Sequence, residues 1–290
     1  MAQIEVRNLI KSFGRVKAVD DVSFSVSQGE IFGFLGPNGA GKTTTIRCIM
    51  DFYRPTEGRV SLFGLDSVKA GVAARSRIGF MPPTTSLNER WTGQDHIAYA
   101  KALRRQPNTA ADLIDRLDFN PSVATKHLST GNRQKLSLIL AFMFKAELII
   151  LDEPTNGLDP LLQQTVYDLI LETRHRGATV FMSSHNLSEV ERMCTRVAIL
   201  RAGKLVATEP MTALKDKHLY SLSVQFTENF DIASIKLPNA TVTRADKRTA
   251  DLKASGDIAP LLKALTQTPL HDLTISHATL EEMFLEFYNH

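Results

Sequence analysis

Cysteine is scarce in this sequence. Cys48 and Cys194 are the only two among 290 residues, and they stand far apart. A disulfide framework needs an even, regularly spaced set of cysteines, and a zinc site needs closely paired ligands. The sequence therefore indicates neither kind of site, and we expect both cysteines to be packing residues.

Long hydrophobic runs are also missing. The most apolar stretch, residues 136–144, is interrupted by Ser137 and is far shorter than the roughly 20 residues that a membrane-spanning helix needs. The opening residues, MAQIEVRNLI, alternate polar and apolar side chains, which is not the pattern of a secretion signal. We therefore expect a cytosolic chain that does not cross a membrane by itself.

The third absence is a large excess of charge of one sign. Lysine and arginine total 34 against 31 aspartates and glutamates, which gives a net charge of +3. Because this excess is small and scattered, it gives no indication of a nucleic-acid-binding surface. Hydrophobic residues make up 43% of the chain, which is enough for a globular core.

What the sequence does contain is an alternation of strand and helix patterns. Strand-like segments IEVRNL, DVSFSVS and IFGFLG occupy residues 1–35, the helical segment TTIRCIMDF follows, and helical patterns fill residues 91–144. Strand-like segments return in ELIILDEP, ATVFMSS, RVAILRAG and KLVATE, with helical segments between the first three. This alternation predicts an α/β fold with a mostly parallel sheet.

A change of pattern near residue 217 predicts a second domain. We expect one domain over residues 1–217, with a helical insertion over about 85–145, and a small accessory α+β domain over 218–290. The end of the chain is amphipathic, with five apolar residues on one helical face: Leu280, Met283, Phe284, Phe287 and Tyr288. Such a face fits packing on its own domain or docking in a partner groove.

A phosphate-binding loop is predicted at GPNGAGKT, Gly36–Thr43, which lies between a strand-like and a helical segment. In such a loop, backbone N–H groups and the positive end of the helix converge on phosphate oxygens. We expect Lys42 to reach the β- and γ-phosphates and Thr43 to ligate Mg²⁺. The alternative for this segment is a glycine-rich structural turn.

A pair of acids, Asp152 and Glu153, ends the apolar segment ELIILDEP. A carboxylate at the end of a strand can hold Mg²⁺ through water, and a second carboxylate can orient or deprotonate an attacking water. By itself the pair is more often part of a solvated loop. Together with the phosphate loop it predicts a nucleotide-hydrolysing site, and the sequence has no guanine-reading Asn-Lys-x-Asp motif.

The order of four motifs resembles a known family. After the phosphate loop come LSTGN at residues 128–132, LDEPTNGLDP at 151–160 and SSH at 183–185. This order resembles the ATPase domain of ABC transporters, and the resemblance runs from about Ile4 to Glu209. It implies a P-loop NTPase core of the ABC ATPase type, with an antiparallel β subdomain and a helical insertion, that uses ATP and Mg²⁺.

The resemblance also implies a role for each motif residue. Glu153 corresponds to the catalytic base and His185 to the histidine that contacts the γ-phosphate, although a lone histidine after a strand is often structural. Thr43 and Asp152 correspond to the Mg²⁺ site. The residues that correspond to the ATP-binding set are Phe13, Gly36, Pro37, Asn38, Gly39, Ala40, Gly41, Lys42, Thr43, Thr44, Ser129 and Gly131.

Three of these residues have a second interpretation or a partner in another chain. In the family, the motif that Ser129 and Gly131 match completes the ATP site of a second, facing copy of the domain. Ser129 is equally suited to be a plain N-cap of its own helix. Phe13 matches the aromatic that stacks on adenine, but without the resemblance a core phenylalanine is the simpler interpretation.

One departure from the family pattern bears on activity. Pro83 stands where the lid glutamine is expected, and a proline ring offers no side-chain donor or acceptor. We therefore expect ATP binding with slow hydrolysis by the isolated subunit. A weakly hydrolysing regulatory module is for this reason one alternative function.

The resemblance implies a function and partners. It predicts the ATP-binding and hydrolysing subunit of an ABC transporter, peripheral at the cytoplasmic face of the cell membrane. The expected partners are a separately encoded transmembrane permease and a second ATPase subunit, as a homodimer, without nucleic acid. The ending LEEMFLEFY is similar to that of bacterial drug and antibiotic exporter ATPases. A soluble ABC protein acting on ribosomes or DNA is the other alternative.

Overall fold

The computed structural model describes residues 2–84, 86–215 and 219–277. It divides into two compact units, Met1–Glu209 and Pro210–His290. The boundary between residues 217 and 218 remains a prediction, and the amphipathic face of residues 280–288 lies outside the described residues.

Strands and α-helices of the described residues are numbered in chain order, and two short 3₁₀ turns lie at Thr125–His127 and Ile232–Ser234. They are β1 (Ala2–Phe13), β2 (Val16–Ser27), β3 (Ile31–Leu35), α1 (Lys42–Ile49), β4 (Glu57–Leu62), β5 (Leu65–Asp66), α2 (Gly71–Arg75), β6 (Ile78–Met81), α3 (Gly93–Arg104), α4 (Ala110–Arg116), α5 (Thr130–Phe142), β7 (Leu148–Asp152), α6 (Pro160–His175), β8 (Thr179–Ser184), α7 (Leu187–Met193), β9 (Arg196–Arg201), β10 (Lys204–Pro210), α8 (Met211–Lys215), β11 (Leu219–Phe226), β12 (Ala240–Ala245), β13 (Thr249–Ser255), α9 (Ala259–Leu265) and β14 (Leu270–His277).

The first unit contains two sheets. A six-stranded sheet has the order β10-β9-β3-β8-β7-β6. The five neighbouring strands from β9 to β6 pair in parallel. A second sheet, β2-β1-β4-β5, is antiparallel. β3, β7 and β8 are buried along their whole length, which explains their continuous apolar sequences. The predicted α/β fold with an antiparallel subdomain is confirmed.

Aromatic rings join the two sheets. Phe32 of β3 and Phe181 of β8 are register partners with ring centroids 5.8 Å apart. Phe24 of β2 stacks on both, at 5.6 and 5.9 Å. All three side chains are buried, and burying one such side chain contributes roughly 1.5–3 kcal/mol to stability. This packing holds the parallel sheet that carries the site.

Residues 50–81 differ from the sequence-based expectation. The helical pattern predicts a helix that continues toward Pro55, but α1 ends at Ile49, and Asp51 has a left-handed φ of 58° that turns the chain. β4, β5 and β6 lie between α1 and Trp91, where no strand was predicted. β5 has only two residues, and β4 has only two apolar residues, Val60 and Leu62. β6 is an apolar run of four residues, which fits a buried helix segment as well as a strand.

Both cysteines are free and buried, as predicted. Cys194 follows α7 and lies against Gly33 of β3, where an added Cβ would be 2.8 Å from its Sγ atom. Gly33 therefore lets α7 pack close to the central strand of the sheet. Burial raises the pKa of the Cys48 thiol to about 11, so this thiol is protonated at neutral pH.

The described residues of the second unit form an antiparallel sheet with the order β12-β13-β11-β14 and the helices α8 and α9. Leu222 and Val224 of β11, Leu252 of β13 and Leu261 and Leu265 of α9 form its core. Alternate residues of β13 are buried, as expected for a sheet with one face packed. Among the described residues, no helix has both the length and the apolar character needed to cross a membrane.

Candidate functional site

The predicted phosphate loop connects β3 to α1 at the carboxyl end of the parallel sheet. Two of its glycines are required by their surroundings. An added Cβ at Gly36 would lie 2.4 Å from the Leu200 carbonyl oxygen, and one at Gly41, whose φ is +104°, would lie 2.4 Å from that of Ala18. Side chains are excluded at both positions, so the backbone itself lines the loop.

The remaining loop residues form an exposed turn. Pro37, Asn38 and Gly39 are exposed, and Ala40 is buried, with its N–H donating to the Pro37 carbonyl at 3.1 Å. The left-handed φ of Gly39, +81°, continues the turn. α1 starts directly after Gly41 without a side-chain cap, so the N–H groups of its first turn are available for an anion.

Lys42 is 6% exposed and lies inside the loop. Its Nζ donates to the Gly36 carbonyl at 2.6 Å and to the Pro37 carbonyl at 3.3 Å. It also lies 3.0 Å from Glu153 Oε1. The ammonium is thus held where the loop turns, beside the predicted catalytic carboxylate.

Asp152 reaches the site because β7 and β8 are parallel and in register, with Asp152 beside Ser183. Ser183 Oγ donates to Asp152 Oδ1 at 2.5 Å. Asp152 Oδ2 is buried and has no hydrogen-bond partner in the described part of the chain. Burial raises the pKa of this carboxyl, and the Ser183 and Thr43 hydroxyls together with Lys42 partly offset that effect.

Glu153 adopts an unusual backbone conformation, with a φ of 54°. Its N–H lies 3.0 Å from Ser183 Oγ and 3.3 Å from the Ser183 carbonyl, contacts that tie the backbone to β8. The side chain is 12% exposed, and Oε2 lies 2.7 Å from His185 Nδ1. A left-handed residue that is not glycine is rare outside turns and functional sites. Glu153 is therefore directed between Lys42 and His185.

A cavity of about 300 Å³ opens over this arrangement. Its walls include six loop residues and, beyond the loop, Ala18, Thr44, Pro83, Glu153 and Asn156. The fold therefore brings the loop, the catalytic candidate and the unusual proline together at one cavity.

Seven predicted residues are not among those that line this cavity: Gly36, Ala40 and Asp152 lie next to lining residues in the sequence, His185 contacts the lining residue Glu153, and Phe13, Ser129 and Gly131 lie elsewhere in the sequence. Ser129 caps α5, accepting from the Asn132 N–H at 3.2 Å, so the N-cap interpretation is confirmed. Gly131 lies in the first turn of the same helix with open space beside it. Phe13 ends β1, 46% exposed, with its ring edge-on to Tyr53 at 5.4 Å. Their roles toward ATP remain predictions.

The site has a third acid, Glu189, that was not predicted from the sequence. Glu189 of α7 is 3% exposed, and its oxygens accept from Thr155 Oγ1 at 2.7 Å and from Ser184 Oγ at 2.6 Å. Burial raises the pKa of this carboxyl. The only sequence signal is a glutamate four residues after His185, which is indistinguishable from a solvated helix residue until its burial is known.

A family model and several known proteins match this chain. The family model described as ABC transporter matches residues 19–156. The uncharacterized ABC transporter ATP-binding protein YhcH of Bacillus subtilis (strain 168) is 31% identical, over 98% of this chain and 95% of its own length. The bacitracin transport ATP-binding protein BcrA of Bacillus licheniformis is 34% identical, over 78% of this chain and 75% of its own.

Solved structures share the fold. An ATP-binding subunit of an ABC transporter superimposes with a TM-score of 0.68 and 28% identity, over 74% of this chain and 92% of that one. A dimeric bacterial ABC transporter cassette has a TM-score of 0.65 and 21% identity, over 72% of this chain and 98% of that one. At that identity the second likeness concerns the fold alone.

Proposed function

We propose that this chain, which belongs to the ABC transporter ATP-binding protein family, powers an exporter whose membrane-spanning permease is a separate polypeptide. Membership in the family makes the chain an ATP-binding ATPase subunit. The direction of transport, the partners and the role of each side chain are the subject of the proposal.

The observation that carries the proposal is the position of Glu153. Its two carboxylate oxygens lie 3.0 Å from Lys42 Nζ and 2.7 Å from His185 Nδ1, at the cavity formed by the phosphate loop. A hydrolytic site needs a cation for the phosphate and a base for water within reach of each other. These three groups meet that requirement.

Each side chain has a definite task in this mechanism. The loop N–H groups and Lys42 bind the phosphates of ATP and offset the charge that develops on them. Glu153 accepts a proton from, or orients, the attacking water, and His185 holds the Glu153 carboxylate and contacts the γ-phosphate. General-base catalysis of this kind accounts for about 10²- to 10⁴-fold in rate.

Mg²⁺ fits the residues present. Asp152 Oδ2 is a buried carboxylate oxygen without a hydrogen-bond partner among the described residues. The nearby Thr43 hydroxyl lowers the pKa of the Asp152 carboxyl and so partly offsets the effect of burial. Mg²⁺ prefers oxygen ligands and is bound through one or two carboxylates together with substrate phosphates. Thr43 and Asp152 would hold the ion, which would supply charge neutralisation at the phosphates.

A second copy of the chain completes the site in this proposal. Ser129 and Gly131 do not line the cavity of their own chain, yet they stand at the exposed start of α5 with room beside them. A helix N-terminus of this kind binds anions. We assign these two residues to the γ-phosphate held by the facing copy.

Export through a separate permease is supported by relatives whose names state transport. Besides the bacitracin transport protein, a Nod factor export ATP-binding protein of Sinorhizobium fredii is 32% identical over 74% of this chain. The proposed location is the cytoplasmic face of the membrane, where the permease would dock.

The test is purification of the tagged chain from detergent-solubilised membranes, followed by identification of associated proteins. A multi-pass membrane protein should co-purify and should stimulate phosphate release. The Lys42→Ala chain is the matched control, because it should retain the permease and lose hydrolysis. Recovery of ribosomes or nucleic acid without any multi-pass protein would contradict the proposal.

Pro83 favours a second candidate function, a regulatory module that binds ATP and hydrolyses it slowly. This proline lines the same cavity as Glu153, where its ring can neither ligate an ion nor hydrogen-bond water. A phosphate-release assay on the permease complex separates the two functions. Turnover that stays near zero with the permease bound would support the regulatory module.

A further inference from the structure

Glu189 is a buried acid that the proposed mechanism does not use. It lies on α7, and its two oxygens accept hydrogen bonds from two hydroxyls that come from different segments of the chain. Thr155 belongs to the loop after β7, and Ser184 is the last residue of β8. One carboxylate therefore joins two segments that are about thirty residues apart in the chain.

These two hydroxyl residues are neighbours of the catalytic candidates. Thr155 is two residues after Glu153, and Ser184 immediately precedes His185. Glu153 and His185 themselves meet at 2.7 Å. If the segment that contains Thr155 shifted relative to the segment that contains Ser184, the contact between Glu153 and His185 would therefore change.

The position of Glu189 depends on α7, which packs against β3 and is capped at its start. Gly33 of β3 leaves room for α7, since an added Cβ there would lie 2.8 Å from Cys194 Sγ and 3.0 Å from Val190 Cγ1. Asn186 caps the helix, and its side chain accepts from the Ser188 and Glu189 N–H groups. α7 is thus capped and packed against β3, and it belongs neither to β8 nor to the loop after β7.

We propose that Glu189 is a positioning residue that sets the distance between Glu153 and His185 by holding Thr155 and Ser184 at once. This inference rests on the proposed function, because it assumes that those two residues act together on ATP.

The chemistry of the contact favours this role over simple packing. Burying a carboxylate is unfavourable unless hydrogen bonds compensate its lost hydration, and a leucine side chain would occupy a similar volume without that cost. Burial raises the pKa of Glu189, and the two hydroxyls act against that rise. Charged hydrogen bonds are short and directional, which suits the fixing of a distance.

The experiment compares steady-state kinetics of the full chain with those of Glu189→Leu and Glu189→Gln. We expect Glu189→Leu to lower kcat on the order of 10- to 100-fold, as a misplacement of about 1 Å does, with the KM for ATP changed less than about twofold. Glu189→Gln should recover much of kcat, because the amide still offers one acceptor and the other hydroxyl can rotate to accept. The matched control is Glu191→Gln on the same helix, which should behave as wild type.

A double-mutant cycle then separates positioning from general destabilisation. If Glu189 acts through His185, the Glu189→Leu change should cost little further kcat in a His185→Ala background. A full additional loss of kcat in that background would overturn the positioning role. A normal kcat for His185→Ala alone would instead contradict the proposed catalytic site itself.

A second pair of changes covers failure of Glu189→Leu to fold. Thr155→Val combined with Ser184→Ala removes both hydroxyls and leaves every residue of α7 unchanged. The combination should lower kcat on the order of tenfold or more at unchanged KM. An unchanged kcat in this folded double variant would overturn the inference.

Discussion

Lys42 Nζ lies 3.0 Å from Glu153 Oε1, so the cation expected to bind phosphate is paired with the carboxylate expected to activate water. Both side chains are largely buried, at 6% and 12% exposure. A phosphate that binds Lys42 therefore competes with Glu153. The attraction between Lys42 and Glu153 opposes ATP binding, because it is weakened when the phosphate takes the place of the carboxylate.

This pairing gives the first prediction, for Glu153→Gln. We expect turnover to fall by about 10²- to 10⁴-fold, because the amide cannot accept a proton from water. ATP binding should be kept or tightened, because Lys42 no longer has a competing carboxylate, and the ATP-bound dimer should accumulate. Phosphate release and binding of a fluorescent ATP analogue check this. Glu172→Gln, which breaks a surface pair with Arg116, is the control, and wild-type turnover of Glu153→Gln would disprove the assignment.

The second prediction concerns the two-chain site. Ser129→Arg should block ATP-dependent dimer closure while the chain still binds ATP, because the bulky cation would fill the γ-phosphate position of the facing copy. Mixed with Lys42→Ala chains, it should regain at most one complete site per heterodimer. Dimer formation by light scattering and phosphate release test this. The exposed residue Ser122 offers a control, Ser122→Arg, and full wild-type activity of Ser129→Arg alone would refute the model.

The third prediction is for Pro83→Gln. A glutamine side chain would place a donor and an acceptor on the cavity wall, so basal turnover should rise by roughly 2- to 10-fold if water positioning limits the rate. Pro82→Gln is the control, since Pro82 lines a neighbouring cavity instead. Phosphate release should be measured with and without the permease. No change in either condition would show that Pro83 is incidental.

The fourth prediction is a pH dependence of stability due to Glu189. Because burial raises its pKa in the folded state, the folded chain binds this proton more readily than the unfolded chain. The stabilisation is complete below the ordinary value of 4.5 and is lost as pH rises through the raised pKa. Glu153 adds to this rise, and the charge of His185 acts against it.

In Glu189→Gln this contribution is absent. Within the window between the two pKa values, its free energy of unfolding should therefore fall less with rising pH, by up to about 1.4 kcal/mol per pH unit. Urea unfolding followed by the fluorescence of the single tryptophan, Trp91, measures both slopes. Equal slopes for Glu189→Gln and wild type would contradict the prediction, and Glu191→Gln should retain the wild-type slope.

Much of the site could be predicted from the sequence because its parts are local. The phosphate loop is a strand, a glycine-rich turn and a helix in direct succession, and its glycines are dictated by contacts that the motif already anticipates. The N-cap at Ser129 needs only the three residues that follow it. The parallel sheet was likewise predicted from the alternation of strand and helix patterns, because each pattern lies within one short segment of the chain.

The sequence alone did not show the contacts that cross the sheet. Glu153 and His185 meet, and Glu189 binds both Thr155 and Ser184, only because β7 and β8 pair in parallel with Asp152 beside Ser183. No local period encodes that register. The burial of Glu189 depends on how closely α7 approaches Gly33, which is a matter of packing between distant residues. The motif residues were therefore a property of the sequence, whereas their distances, and the buried acid that sets them, were decided by the tertiary structure.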